Sequence, residues 1–144
     1  VDRVLLTFGG IDPSKLTSRI KQIVKSLSLR YAIPVKGDNG QMASSMRWAD
    51  VVVTSQGRTV FEAAAVGTPC ISIAANEREA SHVRLPGVTY LGLHSKVTNS
   101  EIRQSIKGLL TSFEDRKAKA QAAQERVDGR GIDRLVKRIE ELLV

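Results

Sequence analysis

The sequence has one cysteine, few aromatic residues and no long apolar run. Because Cys70 has no second cysteine to pair with, an internal disulfide and a metal site built from several thiolates are both excluded. Aromatic side chains make up only 4% of the 144 residues, which argues against a surface that stacks nucleic-acid bases. No apolar run approaches the roughly 18–20 residues that span a bilayer, so we expect at most a peripheral membrane contact. The lone thiol and the lack of a secretory signal pattern favour a cytoplasmic protein.

What is present is the composition of an ordinary globular protein. Hydrophobic residues make up 42% and charged residues 26% of the chain, which argues against disorder. The length fits the roughly 100–200 residues of one domain, so we predict a single domain over residues 1–144. A strand-like run begins at once, without an initiator Met, and we expect the chain to be part of a longer protein.

The net charge of +7 comes largely from the first third of the chain. One interpretation is a solvated helix face. The other is a docking surface for an acidic partner or nucleic acid. The cations concerned lie on or just after the first predicted helix: Lys15, Arg19, Lys21, Lys25 and Arg30.

Short apolar runs alternate with helical patterns along the chain. Continuous apolar strands of this kind are typical of a sheet that is covered on both faces. We therefore predict an α/β fold, a three-layer sandwich with a mainly parallel sheet. Strands are predicted at 3–8, 31–35, 50–54, 70–74 and 88–91. Helices are predicted from Asp12 and Pro13 to about Leu27, at 41–49, at 59–66 with Gly67 after it, within 76–84, and from Thr98 (with Glu101) to Val144, broken into two by Gly129 and Gly131.

The first candidate site follows the first strand. In open α/β sheets the ligand crevice lies outside the carboxyl ends of the strands. Gly9 and Gly10 would let the backbone approach a ligand there, and the following helix start would favour an anion. The segment matches neither the dinucleotide-binding pattern nor a P-loop. The alternative is a tight strand-to-helix turn that Asp12 caps.

The second candidate site is the turn after the third strand. Ser55, Gln56, Gly57, Arg58 and Thr59 would present amides and hydroxyls at the mouth of a helix, which suits a diphosphate. One turn further, Glu62 could accept hydrogen bonds from two ribose hydroxyls. The spacing from Thr59 to Glu62 is equally that of a capping box, in which the glutamate only closes its own helix.

The third candidate site follows the fourth strand, where Asn76 and Glu77 would reach the same crevice. The alternative is an exposed charged loop. His82 and His94 have no evident carboxylate partners, so no metal site is expected. Cys70 lies in an apolar strand and is expected to be inert. A receiver domain is disfavoured because Asp50 precedes its strand, whereas a phospho-acceptor would lie at the carboxyl end.

The chain contains three motifs in order: FGGIDP at 8–13, ADVVV at 49–53 with GRTVFE at 57–62 and GTP at 67–69, and DGRG at 128–131. Together they resemble the C-terminal half of GT-B nucleotide-sugar enzymes. The resemblance is nearest to the UDP-sugar hydrolases of pseudaminic acid biosynthesis and related spore-coat polysaccharide proteins. It is more distant to the peptidoglycan N-acetylglucosaminyltransferases, which have one more residue between the turn glycine and the threonine. The hydrolase-like proteins usually have Gln where Arg78 or Glu79 stands.

The resemblance implies a Rossmann-like domain that binds a UDP-sugar and faces a second, N-terminal domain across a cleft. By position, Gly57, Arg58 and Thr59 would contact the diphosphate and Glu62 the ribose. Gly9 and Gly10 would form part of the cleft floor, with Asn76 and Glu77 near the sugar or phosphate. No cofactor is implied. The full protein would be a glycosyltransferase or UDP-sugar hydrolase of cell-surface polysaccharide synthesis, with its catalytic residues in the other domain, so that this chain alone would bind rather than catalyse.

Overall fold

The computed structural model describes residues 1–9, 11–34 and 40–144. Five parallel strands form one sheet in the order β2-β1-β3-β4-β5, which confirms the predicted Rossmann-like α/β fold. The strands are β1 (Arg3–Thr7), β2 (Arg30–Ala32), β3 (Val51–Ser55), β4 (Cys70–Ala74) and β5 (Thr89–Leu93). The helices are α1 (Leu16–Ser26), α2 (Met42–Trp48), α3 (Thr59–Val66), α4 (Glu77–Ala80), α5 (Asn99–Thr111), α6 (Phe113–Gln124) and α7 (Gly131–Leu143).

Two apolar clusters cover the two faces of the sheet. Along β1, Leu6 packs in a cluster with residues of α1 and α5, while its neighbour Leu5 packs in a cluster with residues of α2, α3 and α6. Successive strand residues point to opposite faces, and both faces are buried here. The strands are therefore apolar at nearly every position instead of alternating with polar residues.

Several predicted boundaries are confirmed. Helix α3 covers Thr59–Val66 and ends at Gly67, whose φ of 81° is that of a left-handed cap. Strand β4 covers Cys70–Ala74 as predicted. At the start of α5 the side chains and backbones of Thr98 and Glu101 form the predicted capping box.

The predicted start of α1 at Pro13 is wrong. Residues 12–15 form a turn, in which the Lys15 amide donates to the Asp12 carbonyl at 3.1 Å. Lys15 then has a left-handed backbone with a φ of 53°, so the helix begins at Leu16. Asp12 nevertheless acts as a cap from outside the helix, because its carboxylate accepts from the amides of Leu16 and Thr17 at 3.0 and 2.7 Å.

The region after Thr98 contains three helices, not the two that were predicted. The additional break is at Ser112, whose hydroxyl accepts from the Asp115 amide at 3.1 Å and caps α6. Elsewhere β2 is shorter than predicted, α4 has only four residues, and β3 and β5 begin one residue later. Val35, the last residue of the strand predicted at 31–35, lies outside the described residues. No helix in the described part of the chain is long and apolar enough to cross a membrane.

Candidate functional site

The strand order creates a crevice between the carboxyl ends of β1 and β3. From β1 the chain passes through α1 to β2 on one side, and from β3 it passes through α3 to β4 on the other. Ligands of open α/β sheets bind at such a switch point. The Thr54 hydroxyl donates to the Thr7 carbonyl at 2.6 Å and joins the two strand ends. The first two candidate segments therefore flank one crevice.

The start of α3 presents unpaired amides. The Gly57 amide is occupied, because it donates to the Ser55 carbonyl at 2.8 Å. The amides of Arg58 and Thr59 have no acceptor among the described residues. The exposed Arg58 side chain likewise has no ion-pair partner within the described ranges. Together with the positive end of the helix dipole, these groups form an arrangement that attracts an anion.

Glu62 does not close a capping box, so that alternative is wrong. The cap position of α3 is Arg58, and no side chain in the described part of the protein caps the helix. The Glu62 carboxylate is exposed and accepts no hydrogen bond from the described residues. It borders the α2–α3 cavity, a space of about 420 Å³ that is lined by Met42, Ala43, Met46, Arg58, Glu62 and Val66. A carboxylate is thus available one helical turn from the two unpaired amides.

Gln56 is buried, with only 3% of its surface exposed. Its Oε1 accepts from the Ser72 hydroxyl at 2.5 Å, and its Nε2 donates to the Val83 carbonyl at 3.3 Å. Its own carbonyl accepts from His82 Nδ1 at 2.8 Å. The side chain therefore holds the turn against β4 and the segment after α4 and does not face the crevice. No pattern in the sequence could have linked Gln56 to His82, which is 26 residues away.

The third segment lies beside the second, since Ile73 of β4 pairs with Ser55 of β3. Asn76 caps α4, its side-chain oxygen accepting from the Glu79 amide at 2.9 Å. In return, the Glu79 carboxylate accepts from the Ala75 amide at 2.8 Å. The Asn76 oxygen is thus engaged locally, whereas the Glu77 side chain is exposed.

Of the two glycines after β1, the structure describes Gly9, which is exposed and has a φ of 80°. Glycine adopts this left-handed conformation without a steric penalty. Gly10 lies outside the described residues.

Several cations of the predicted basic surface contact other groups of the same chain. The Arg19 guanidinium donates to the carbonyls of His94 and Val97 and to the Asn99 side chain, at 2.9, 2.5 and 2.7 Å. Arg30 pairs with Asp2 at 2.6 Å. The Lys21 ammonium lies 5.9 Å from the centre of the Tyr31 ring. Three of the five cations thus have intramolecular partners.

The structure also describes the residues that were considered for other chemistries. Asp50 precedes β3, as expected, and pairs with Arg3 at 2.9 Å. Burial raises the pKa of the Cys70 thiol to about 12, which keeps it protonated and unreactive. Across residues 1–9, 11–34 and 40–144, no three His, Cys, Asp or Glu side chains are grouped to hold a metal ion.

One of the comparisons with known proteins, that with solved structures, supports the fold. No protein-family model and no curated protein sequence matches the chain. Among solved structures, the chain is similar to a Listeria monocytogenes protein assigned as a UDP-N-acetylglucosamine 2-epimerase, with a TM-score of 0.67 and 16% identity. The match covers 99% of this chain and 45% of that protein. The chain therefore spans less than half of the length of this similar protein and shares the fold of that part.

Proposed function

We propose that this chain is a nucleotide-sugar-binding domain that holds the nucleoside diphosphate of a UDP-sugar at the start of α3. The observation that carries the proposal is the pair of unpaired amides at Arg58 and Thr59 with the uncommitted Glu62 carboxylate one turn away. The amides and the Arg58 guanidinium would bind the diphosphate. Glu62 would accept from the ribose hydroxyls. The name of the similar Listeria protein, which refers to UDP-N-acetylglucosamine, supports the same ligand class.

The other candidate residues have supporting roles in this proposal. Gly9 and Gly10 would form the crevice floor beside the diphosphate. Ser55 and Glu77 would contribute polar groups at the rim. Gln56 would act as a positioning residue, because it fixes the turn that carries the amides.

We also propose that a second domain completes the site, as in the GT-B enzymes that the sequence resembles. The similar structure is more than twice as long as this chain. Helix α7 supports the proposal, since all its residues are exposed while it carries an apolar face that a further domain could cover. The large side chains of this face are Ile132, Leu135, Val136, Ile139, Leu142 and Leu143.

The reaction proposed for the full protein is hydrolysis or transfer of the sugar in the cytoplasmic steps of cell-surface polysaccharide synthesis. The spacing of GRTVFE at 57–62 favours the hydrolase-like members over the peptidoglycan transferases. Both reactions break the bond between the anomeric carbon and the diphosphate oxygen. The role of this domain would be to hold the departing diphosphate, whose negative charge the start of α3 would stabilise.

Titration of UDP against ¹⁵N-labelled protein tests the proposal. We expect saturable shifts of the Arg58 and Thr59 amide signals, and about two- to tenfold weaker binding by Glu62→Gln, because it loses charged hydrogen bonds to the ribose. Glu114→Gln changes an exposed glutamate on α6 and serves as the matched control. No shifts at millimolar UDP, or equal weakening by both variants, would overturn the proposal.

A further inference from the structure

A second cavity also borders Arg58 but is not lined by Glu62. The His82 cavity has a volume of about 210 Å³ and is lined by Gln56, Gly57, Arg58, Phe61, His82 and Val83. This is smaller than the roughly 300–1,000 Å³ of pockets that enclose a whole drug-sized ligand. The His82 cavity can therefore hold only part of a ligand.

The two cavities share Arg58, next to the unpaired amides of α3. A diphosphate bound there would border both cavities. The α2–α3 cavity contains Glu62, the carboxylate proposed for the ribose. The other half of a UDP-sugar, the sugar itself, would then extend towards the His82 cavity.

The hydrogen bond to Gln56 fixes the tautomer of His82. A carbonyl oxygen can only accept, so His82 Nδ1, at 2.8 Å from the Gln56 carbonyl, carries the proton. In the neutral ring Nε2 is then an acceptor. A second hydrogen bond also fixes the segment that carries His82, because the Gln56 side chain donates to the carbonyl of the neighbouring Val83. The ring is thus a positioned acceptor in the His82 cavity, and the Arg58 guanidinium, which also lines the cavity, is a donor.

The remaining lining suits a sugar ring. Phe61 is 44% exposed and Val83 is 81% exposed, so both present apolar surface. Binding pockets combine such surface with a few polar groups that fix the orientation of the ligand. A pyranose has an apolar C–H face for the phenyl ring and hydroxyl groups that can donate to an imidazole nitrogen.

We propose that His82 Nε2 accepts a hydrogen bond from a hydroxyl group of the sugar, and that the His82 cavity is the sugar subsite of the domain. The proposal rests on the function proposed above. The resemblance implied that Asn76 and Glu77 lie near the sugar or phosphate, whereas this proposal assigns the sugar contact to His82. The side-chain oxygen of Asn76 caps α4 instead.

Two substitutions at His82 distinguish the role of Nε2 from that of Nδ1. In His82→Asn the amide nitrogen takes the position of Nδ1 and can still donate to Gln56, but the acceptor at Nε2 is lost. In His82→Gln the amide reaches the position of Nε2, and the bond to Gln56 is lost. His94→Asn is the matched control, because the backbone of His94 makes its hydrogen bonds to Ala74 and Arg19.

The experiment compares the dissociation constants of UDP and UDP-N-acetylglucosamine at pH 7.5, measured by amide shifts. In His82→Asn we expect the preference for the sugar nucleotide to fall by about two- to tenfold, the value of one hydrogen bond, with UDP binding nearly unchanged. His82→Gln should weaken the binding of both ligands, and His94→Asn should weaken the binding of neither.

An unchanged preference in His82→Asn would overturn this proposal and leave the nucleotide site standing. Equal weakening of both ligands in His82→Asn would overturn it too, because His82 would then act only by holding the turn. If neither ligand bound the unaltered protein, the proposed function itself would fall.

Discussion

At the scale of single residues, the ion pair between Asp50 and Arg3 ties the start of β3 to that of β1. The Asp50 side chain is 12% exposed and also accepts from the amides of Asp2 and Arg3 at 3.1 and 3.0 Å. Its bonds to the Arg3 side chain are the main cause that lowers the pKa of Asp50 from 3.8 to about 2. A lowered pKa means that the folded state favours the ionised carboxylate.

The pH dependence of Asp50→Asn follows from this shift. Because the folded-state pKa is the lower one, the stabilisation is present above about pH 5 and is lost as the pH falls towards 2. At pH 7 we expect the free energy of unfolding of the variant to be about 1–2 kcal/mol lower than that of the unaltered protein. At pH 3 the difference should be about half as large. Urea unfolding at both pH values measures the difference. The same deficit at both would show that the charge of Asp50 contributes nothing.

The residues of the candidate site were predictable to different degrees. Arg58, Thr59 and Glu62 follow a strand and begin a helix, which local patterns reveal. The choice between a ligand contact and a capping box at Glu62 needed coordinates, because both use the same spacing. Gln56 was expected at the crevice, but it is held by Ser72 and His82, which only the folded chain brings near.

At the scale of elements, the β4–β5 connection approaches α6 closely at Gly87. A Cβ atom added there would collide with the Lys119 carbonyl and lie 2.7 Å from the Ala123 amide nitrogen. Gly129 has a similar positive φ, 73° against 83°, but open space around it. Substitution by alanine adds the same backbone strain at both sites, and only Gly87 adds a steric clash.

We therefore expect Gly87→Ala to destabilise the protein more than Gly129→Ala. The left-handed backbone costs an alanine roughly 1–2 kcal/mol at either site, and the collision with α6 adds about 1–3 kcal/mol at Gly87. Thermal or urea unfolding of the two variants gives the comparison. An equal decrease in the free energy of unfolding of the two variants would mean that α6 does not pack closely against the β4–β5 connection.

Element boundaries were predicted best where a strong local signal stands at the end of the element. Gly67 ends α3, and the Thr98–Glu101 box begins α5, each as expected. The start of α1 was missed because Lys15 takes a left-handed backbone despite its side chain. The break at Ser112 was missed because a single serine cap is a weaker helix-breaking signal than glycine or proline.

At the scale of the whole molecule, α7 and α5 use the same amphipathic pattern in opposite environments. Three isoleucine or leucine residues of α5 are buried in the core, among them Ile106 at 0% exposure. No residue of α7 is buried, and Ile139 is 48% exposed. The sequence could predict both helices from their periodicity, but it could not show which apolar face the domain itself covers.

A matched pair of substitutions tests whether α7 belongs to the core of this domain. Ile106→Ala should cost about 2–5 kcal/mol, because it leaves a cavity between α5 and the sheet. Ile139→Ala should change the free energy of unfolding by less than about 0.5 kcal/mol, as at other uncovered positions. A 13-residue helix without packing is marginal in water, so the α7 amides should also exchange with solvent much faster than those of α5. A large loss in Ile139→Ala, or slow exchange along α7, would mean that this domain covers the apolar face, and α7 would no longer support a second domain.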